Sequence, residues 1–526
     1  MSRLTSCIII LLLVLPSLIF SQTWSDDVST IFYSKCAQCH HNGGIAPTPL
    51  VTYPEVNAMA AAVYDAVNQN HMPPWPPDNT YQQYAHDRAL STTEKSTVLN
   101  WILAGSPEGN AVNTPPPPVF NMGALLGAGD LTVRIPTYSS KANGSTDDYA
   151  CFAIPSGLTQ NRVIKSIEII PGNREIVHHA LIYIDPTGNE QTDTTGFCGS
   201  PSLGTTKLVA GYTPGSTPMI LPAQAPLKLG INMQANSKVY FAMHYPAGSA
   251  GMLDSTRVIF HFYPVNTTGI RPVFADAVLQ NWTFQLPPEQ LTTVTAKYPS
   301  SGGLNQHISL LSVFPHMHLL GKSIKAYAIS PTNDTIKFAN LKHWDFHWQD
   351  FYFFKTIQKA PTGSVLHAEG LYDNTSNNIH NPANPPVLVK AGHNTTDEMF
   401  LVYFHYTLYQ AGDETYNMEE LMSASLNEQL DTEDVGLLRV YPNPSAAITT
   451  FDFGALDKDA TLSLIIYDRF GKEVKTLARN QWVHAGTRIE WDGTNQFGSP
   501  VNDSWFIASY SLDGKLFALP VLRNSN

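Results

Sequence analysis

Val177-His178-His179-Ala180-Leu181-Ile182-Tyr183-Ile184 is an apolar run rich in β-branched residues that carries two adjacent histidines. It reads as a β-strand with metal-ligating side chains at its start. Runs of the same kind recur around it, at Val163 to Ile170, Val239 to His244, Val258 to Tyr263 and Met399 to Tyr409. With 38 prolines, 34 glycines, 11% aromatic and only 14% charged residues, the composition favours compact β domains joined by turns over disorder or long helical arrays. The 526 residues leave room for several domains, and a net charge of -12 lacks the basic footprint of a nucleic-acid binder. The expected fold is multidomain and mainly β.

Composition shifts mark the boundaries. After Arg3, the apolar run Ile8 to Leu15 and Leu18-Ile19-Phe20 lead to Ser21-Gln22. This reads as a secretory signal peptide over residues 1–22, too short for a membrane span, and no later segment reads as one. Residues 23–110 hold the helical patterns, Glu55 to Val67 and Thr92 to Leu103, the second opened by the capping sequence Ser91-Thr92-Thr93-Glu94. A stiff proline-rich linker follows over residues 111–118. Strand-like runs then fill residues 119–425, a polar linker is expected over 426–437, and a last β module over 438–526.

Cys36-Ala37-Gln38-Cys39-His40 places two thiols two residues apart with a histidine directly after them. Two such thiols can add across the vinyl groups of a haem, and His40 is placed to bind the iron. A redox disulfide or half of a zinc site are the alternatives. For the far side of the iron, Met72 stands in the rigid frame His71-Met72-Pro73-Pro74-Trp75-Pro76, with Met59, His71 and His41 as rivals. A thioether opposite a histidine raises the iron potential, which fits an electron carrier.

A second set of ligand types lies downstream. His316-Met317-His318 would put both histidines on one face of a strand with Met317 turned away. Met399, at the head of Met399-Phe400-Leu401-Val402-Tyr403, would add a soft thioether, and two imidazoles with a thioether favour copper over zinc. His178 and His179 can share one ion only if the strand is irregular there or if the rings use different nitrogens. His244, in Phe241-Ala242-Met243-His244-Tyr245, would complete a three-histidine site. The plain alternative makes Met399 ordinary core and the histidines a surface pair.

Taken together these motifs resemble known families. The segment Trp24 to Asn110, with Cys36 to His40, Met72-Pro73-Pro74-Trp75 and Asn100-Trp101-Ile102-Leu103-Ala104-Gly105, resembles class I cytochrome c. The order His178-His179, His244-Tyr245, His316-Met317-His318 and Met399 resembles the copper type II, ascorbate-dependent monooxygenases, the family of peptidylglycine α-hydroxylating and dopamine β-monooxygenases. The resemblance implies two antiparallel, jelly-roll-like β domains, here residues 119–271 and 272–425, each carrying one copper. It implies an electron-transfer copper on His178, His179 and His244, and a copper that binds oxygen and hydroxylates on His316, His318 and Met399. It further implies a disulfide between Cys151 and Cys198, and a substrate contact at Tyr403. Peptide-amidating members carry an arginine where this chain has Phe314, and a polar residue at Leu401, so an uncharged or aromatic substrate is expected. Val440-Tyr441-Pro442-Asn443-Pro444-Ser445 and Leu462 to Asp468 resemble the C-terminal sorting domain of type IX secretion, a small β sandwich.

The expected protein is therefore a copper monooxygenase that is secreted or displayed on the outer cell surface, passing through the periplasm. It would hold two copper ions and one covalently attached haem c, and would meet a small-molecule substrate, O2, an electron donor and the type IX secretion machinery. The rival expectation is a non-catalytic extracellular electron-transfer or copper-binding protein. The other histidines, among them His261, His307, His343, His347, His367, His380, His393, His405 and His484, read as structural.

Overall fold

The computed structural model describes residues 22–46, 48–118, 124–144, 146–196, 198, 201–202, 204–394, 396–433, 438–445, 447–453, 456, 459–468, 472–484, 486–501, 505–512 and 515–523. The expected signal peptide lies, apart from Gln22, outside the described residues. Among the described residues no helix is long and apolar enough to cross a membrane.

The N-terminal unit is helical. A π-helical turn, Trp24–Val28, leads into Ser29–Lys35, followed by Tyr53–Ala58, Ala60–Asn68 and Thr92–Leu103. Trp24, Phe32 and Trp101 are fully buried at its centre, the two indoles 6.1 Å apart. The Ser91 hydroxyl accepts from the Glu94 N–H and the Glu94 carboxylate accepts from the Ser91 N–H, so the expected capping box forms. The helix expected over Glu55 to Val67 is instead two. Met59 leaves helical geometry (φ -105°, ψ 9°) and its N–H turns back to Asn57 and Val56.

The first β unit stacks two sheets. One runs in the order Asp193–Gly196, Asp148–Pro155, Lys238–Tyr245, His179–Asp185, Lys207–Tyr212. The other runs Leu131–Arg134, Arg257–Phe262, Arg162–Ile170, Leu227–Met233, Arg271–Pro272. Arg271–Pro272 pairs in parallel with Leu227–Met233, so the border expected between residues 271 and 272 falls inside a strand of the first unit. The second β unit pairs the sheet Phe274–Gln280, Leu401–Leu408, Ile308–His316, Tyr352–Ala360 with the sheet Gln290–Tyr298, Val365–Asn374, Gly321–Ile329, Thr335–Leu341. A disulfide joins Cys151 to Cys198.

The strand expected to begin at Met399 begins at Leu401, and its alternation does not separate core from solvent. Leu401 and Tyr403 enter a core shared by both β units, together with Phe314, Phe351 and Met399. Val402 and Phe404 enter the second unit's own core. The strand is buried on both faces because its sheet is covered on both.

The N-terminal unit is not merely tethered by its linker. Its segment from Pro77 to Arg88 lies along the second β unit. Pro77 and Tyr84 form bridges with Leu341 and Phe354, the Asp78 N–H donates to Asn340 O, and the Ala85 N–H donates to Phe353 O. Tyr84 is buried in the second unit's core and Ala85 in the shared core. The proline-rich linker is also held, since the Tyr33 hydroxyl donates to Pro115 O at 3.2 Å.

The linker expected over 426–437 is helical in its first part, within Met418–Glu433. Beyond it, Arg439–Tyr441, Thr449–Phe453 and Thr487–Trp491 form one sheet, and Glu473–Val483, Ala460–Asp468, Trp505–Leu512 and Lys515–Leu522 another. Both close over a separate core that includes Phe451, Leu464, Trp491 and Phe506.

Candidate metal centres

In the first β unit, His179 and His244 are direct partners across two antiparallel strands, which puts their side chains on one face. Their Nδ1 atoms lie 3.2 Å apart. His178 stands just ahead of the strand in irregular backbone, and its N–H donates to His244 O at 3.0 Å. That irregularity lets neighbouring histidines converge, where a regular strand would send them to opposite faces. One nitrogen from each of the three rings lies within 4.8 Å of the others, a group that could hold a metal ion. His178 Nδ1 is buried with no hydrogen-bond partner among the described residues.

Asp147 fixes the ring of His244. The His244 Nε2–H donates to Asp147 Oδ2 at 2.8 Å, which leaves the Nδ1 lone pair facing the cluster. Burial works to raise the Asp147 carboxyl, but the hydrogen bond and charge of His244, with the Ala247 amide, outweigh it and hold it down at about 2. Burial drives His178 down to about 3, helped by the charge of His244, and drives His179 well below the ordinary imidazole range. The rings are neutral at physiological pH, the state in which imidazole ligates metal.

In the second β unit the strand Ile308–His316 ends on His316, so His318 is not on that strand as the spacing predicted. His316 pairs with Leu401 in the register, and two further steps would set His318 opposite Met399. The ladder stops there because the Glu398 carboxylate accepts the N–H groups of His318 (2.9 Å) and Leu320 (2.6 Å). Met317 does turn away, into the second unit's core. The His316 Nδ1–H donates to Gln349 Oε1 at 2.6 Å and the His318 Nδ1–H donates to Asp397 O at 3.0 Å, leaving both Nε2 atoms as ligating nitrogens. The ring centres are 5.1 Å apart, nearly perpendicular. Met399 is fully buried. Burial lowers His316 to about 4 and His318 to about 3.

Residues 280–432 match the family model of the copper type II ascorbate-dependent monooxygenases, C-terminal domain. The match covers the second donor set, His316, His318 and Met399, and the family implies copper. No curated protein matches the chain. Among solved structures, a β-glucuronidase of glycoside hydrolase family 2 is 12% identical over 45% of this chain and 24% of its own, with a TM-score of 0.12. Dimeric latent PorU from Porphyromonas gingivalis is 10% identical over 73% of this chain and 34% of its own, with a TM-score of 0.15.

Within the monooxygenase-like region, Phe346 stands between the two donor sets. Its ring centre lies 5.8 Å from His318 and 6.4 Å from both His179 and His244. His347, read from the sequence as structural, sits beside the first set, 5.4 Å from the His178 ring. Neither helix nor strand carries it there; a turn at Phe346-His347 does. Gln349, Asp147 and Glu398 were equally invisible in the sequence, because nothing in their spacing ties them to the histidines. Tyr403, the expected substrate contact, pairs across the sheet with Phe314, their rings 5.9 Å apart. It is 5% exposed and Phe314 is fully buried, so both belong to the shared core.

In the helical unit, Cys36 and Cys39 are both unpaired thiols. Burial, with the charge of Cys39, raises Cys36 to about 12, and burial also raises Cys39. Thiols held protonated are poorly suited to redox exchange. The His40 Nδ1–H donates to Thr48 O at 2.8 Å, leaving Nε2 as its ligating nitrogen. Met72 is 42% exposed, while Met59 packs against the helical core. His41 is buried against Ala37 O, and His71 is exposed.

Proposed function

We propose that this chain is a secreted copper-dependent monooxygenase that hydroxylates a C–H bond of a small organic substrate with O2, drawing electrons through a covalently attached haem in its N-terminal unit or from ascorbate. The observation that carries this reading is the pair of distinct donor sets. Three imidazoles converge in the first β unit, and two imidazoles presenting Nε2, with a buried thioether one strand away, occupy the family-matched second unit.

Copper bound at these sites would supply one-electron redox chemistry and oxygen activation. The chain's own contribution is to fix the rings. Asp147 sets the tautomer of His244, while Gln349 and Asp397 set those of His316 and His318. Glu398 anchors the backbone between His318 and Leu320 by accepting both amides. The shared core around Phe314 and Phe351 keeps water from the thioether side. Cys36, Cys39 and His40 are the residues that would hold the haem, the cysteines through thioether bonds and His40 through its free ring nitrogen, with Met72 a further candidate ligand, and the haem would supply one-electron transfer.

A second reading, a non-catalytic electron-transfer or copper-binding protein, is favoured by one observation. Phe346 stands between the donor sets, and Tyr403, the expected substrate contact, is buried with Phe314 in the shared core. The test is oxygen consumption by the copper-loaded full chain with ascorbate, followed with hydroxylated product. Consumption matched by product supports the monooxygenase; uptake without product across a broad screen of uncharged and aromatic compounds supports the second reading. Export through type IX secretion rests on the C-terminal module, and its deletion should leave the protein in the periplasm.

A further inference from the structure

A cavity of about 540 Å3 lies where the helical unit meets both β units, a volume in the range of cofactor-sized ligands. Cys39, Trp75 and Arg88 line it from the helical side, Arg174 and Tyr212 from the first β unit, and Asp350 from the second. Cys39 faces the first β unit directly. A Cβ placed on Gly215 would lie 3.2 Å from Cys39 Sγ, so this glycine (φ +76°) is where that sulfur meets the opposite wall.

The charged groups of the cavity differ in what they have left to offer. Arg88 is spent, donating to Asp350 Oδ2 at 2.9 Å and Pro214 O at 3.3 Å, with its guanidinium over the Trp348 ring. Glu168 has both oxygens engaged by the amides of Leu125 and Leu126. Arg174 meets the Tyr212 hydroxyl and lies near the charge of Glu168, yet its Nε is buried with no hydrogen-bond partner among the described residues. A buried guanidinium N–H without an acceptor is costly, and the usual remedy is an anionic ligand.

Resting on the haem reading above, we infer that the first β unit completes the haem site: Arg174 pairs with a haem propionate, and the Cys39 thioether sulfur seats against Gly215. The same contact gives the electron its route to the first donor set. Arg174 lies four residues before His178 in the chain. Gly215 follows the Lys207–Tyr212 strand, whose Tyr212 pairs with Ala180, the residue after His179. Continuing that register sets Thr213 opposite His179. Two residues along the chain, one strand spacing and the sulfur contact add to roughly 15 Å from Cys39 Sγ to the His179 backbone. One electron leaves the ferrous haem and one cupric ion on His178, His179 and His244 becomes cuprous; no atom is transferred.

The experiment uses the full chain matured with haem and loaded with copper. Haem that survives acid–organic extraction establishes covalent attachment; its loss would defeat the haem reading and this inference with it. On haem-loaded protein, Arg174→Gln should lower the haem midpoint potential, because it removes a positive charge that favours the reduced iron, and Arg174→Lys should restore most of it. Gly215→Val should slow reoxidation of pre-reduced haem by cupric ion at least tenfold in rapid mixing, with the spectrum of the three-histidine copper unchanged, and the milder Gly215→Ala should fall between. Covalent haem whose potential and reoxidation rate ignore all four variants would overturn the inference and leave the haem reading standing. So would a changed KM for an organic substrate with the potential fixed, since the cavity would then be a substrate pocket.

Discussion

His179 and His244 turn their Nδ1 atoms toward one another at 3.2 Å, while the far side of the His244 ring is tied to Asp147. This cross-strand pair is the rigid part of the first donor set, and Asp147 holds it in the ligating tautomer.

Asp147→Asn should therefore weaken copper binding at this set by about 10–100-fold, the usual effect of removing the partner of a metal-bound histidine. Competition with a copper chelator measures it. The second set, which Asp147 does not touch, should keep its affinity.

His316→Ala or Met399→Ala should abolish product formation while one copper per chain remains on His178, His179 and His244. Metal analysis with a spectrum of the remaining copper checks this. Equal loss of both ions would contradict separate sites.

Cys36→Ala combined with Cys39→Ala should leave no haem attached after denaturation, because both thioether bonds need these sulfurs. Haem still bound covalently in that double variant would refute the assignment.

Tyr84→Ala should destabilise the full chain by about 3 kcal/mol, the range for truncating a buried aromatic. Tyr84 is buried between Trp75, Tyr352 and Phe354, with its hydroxyl donating to Phe338 O at 2.8 Å. Calorimetry should show the helical unit and the second β unit losing stability together; if the helical unit melts unchanged, the docking is not cooperative.

The docking should also weaken in acid. The Lys342 ammonium, 2.7 Å away, and the Thr80 hydroxyl hold the Asp78 carboxyl down at about 2, against 3.8 for an ordinary aspartate. A depressed folded-state value means this contribution is complete above about pH 4 and is lost as pH falls toward 2. The contribution is small because Lys342 is largely exposed. Hydrogen exchange of residues 77–85 should rise over that window, and Lys342→Met should flatten the change.

Much of this molecule was legible in the chain. Alternating apolar runs gave the strands to within one or two residues, and Ser91 with Glu94 gave a helix start, because these signals are local. The misses were non-local. The break at Met59 has no glycine or proline to announce it. The helix at Met418–Glu433 lies where polar composition predicted a linker. The Pro77–Arg88 segment looks like loop in sequence, and its backbone pairs with the Thr335–Leu341 and Tyr352–Ala360 strands, which only folding brings beside it.

By itself, the sequence determined which side chains are able to bind metal, since residue type and short spacing fix the chemistry of Cys36 to His40, of His178-His179 and of His316 to His318. Only the tertiary structure decided which of them meet. Strand register set His244 against His179, Glu398 ended the ladder before His318 could pair with Met399, and a turn placed Phe346 between the two sets. It also set Gly215 against Cys39 and brought Arg174 to the same cavity, because contacts between residues more than a hundred positions apart depend on how whole sheets pack, which no local pattern encodes.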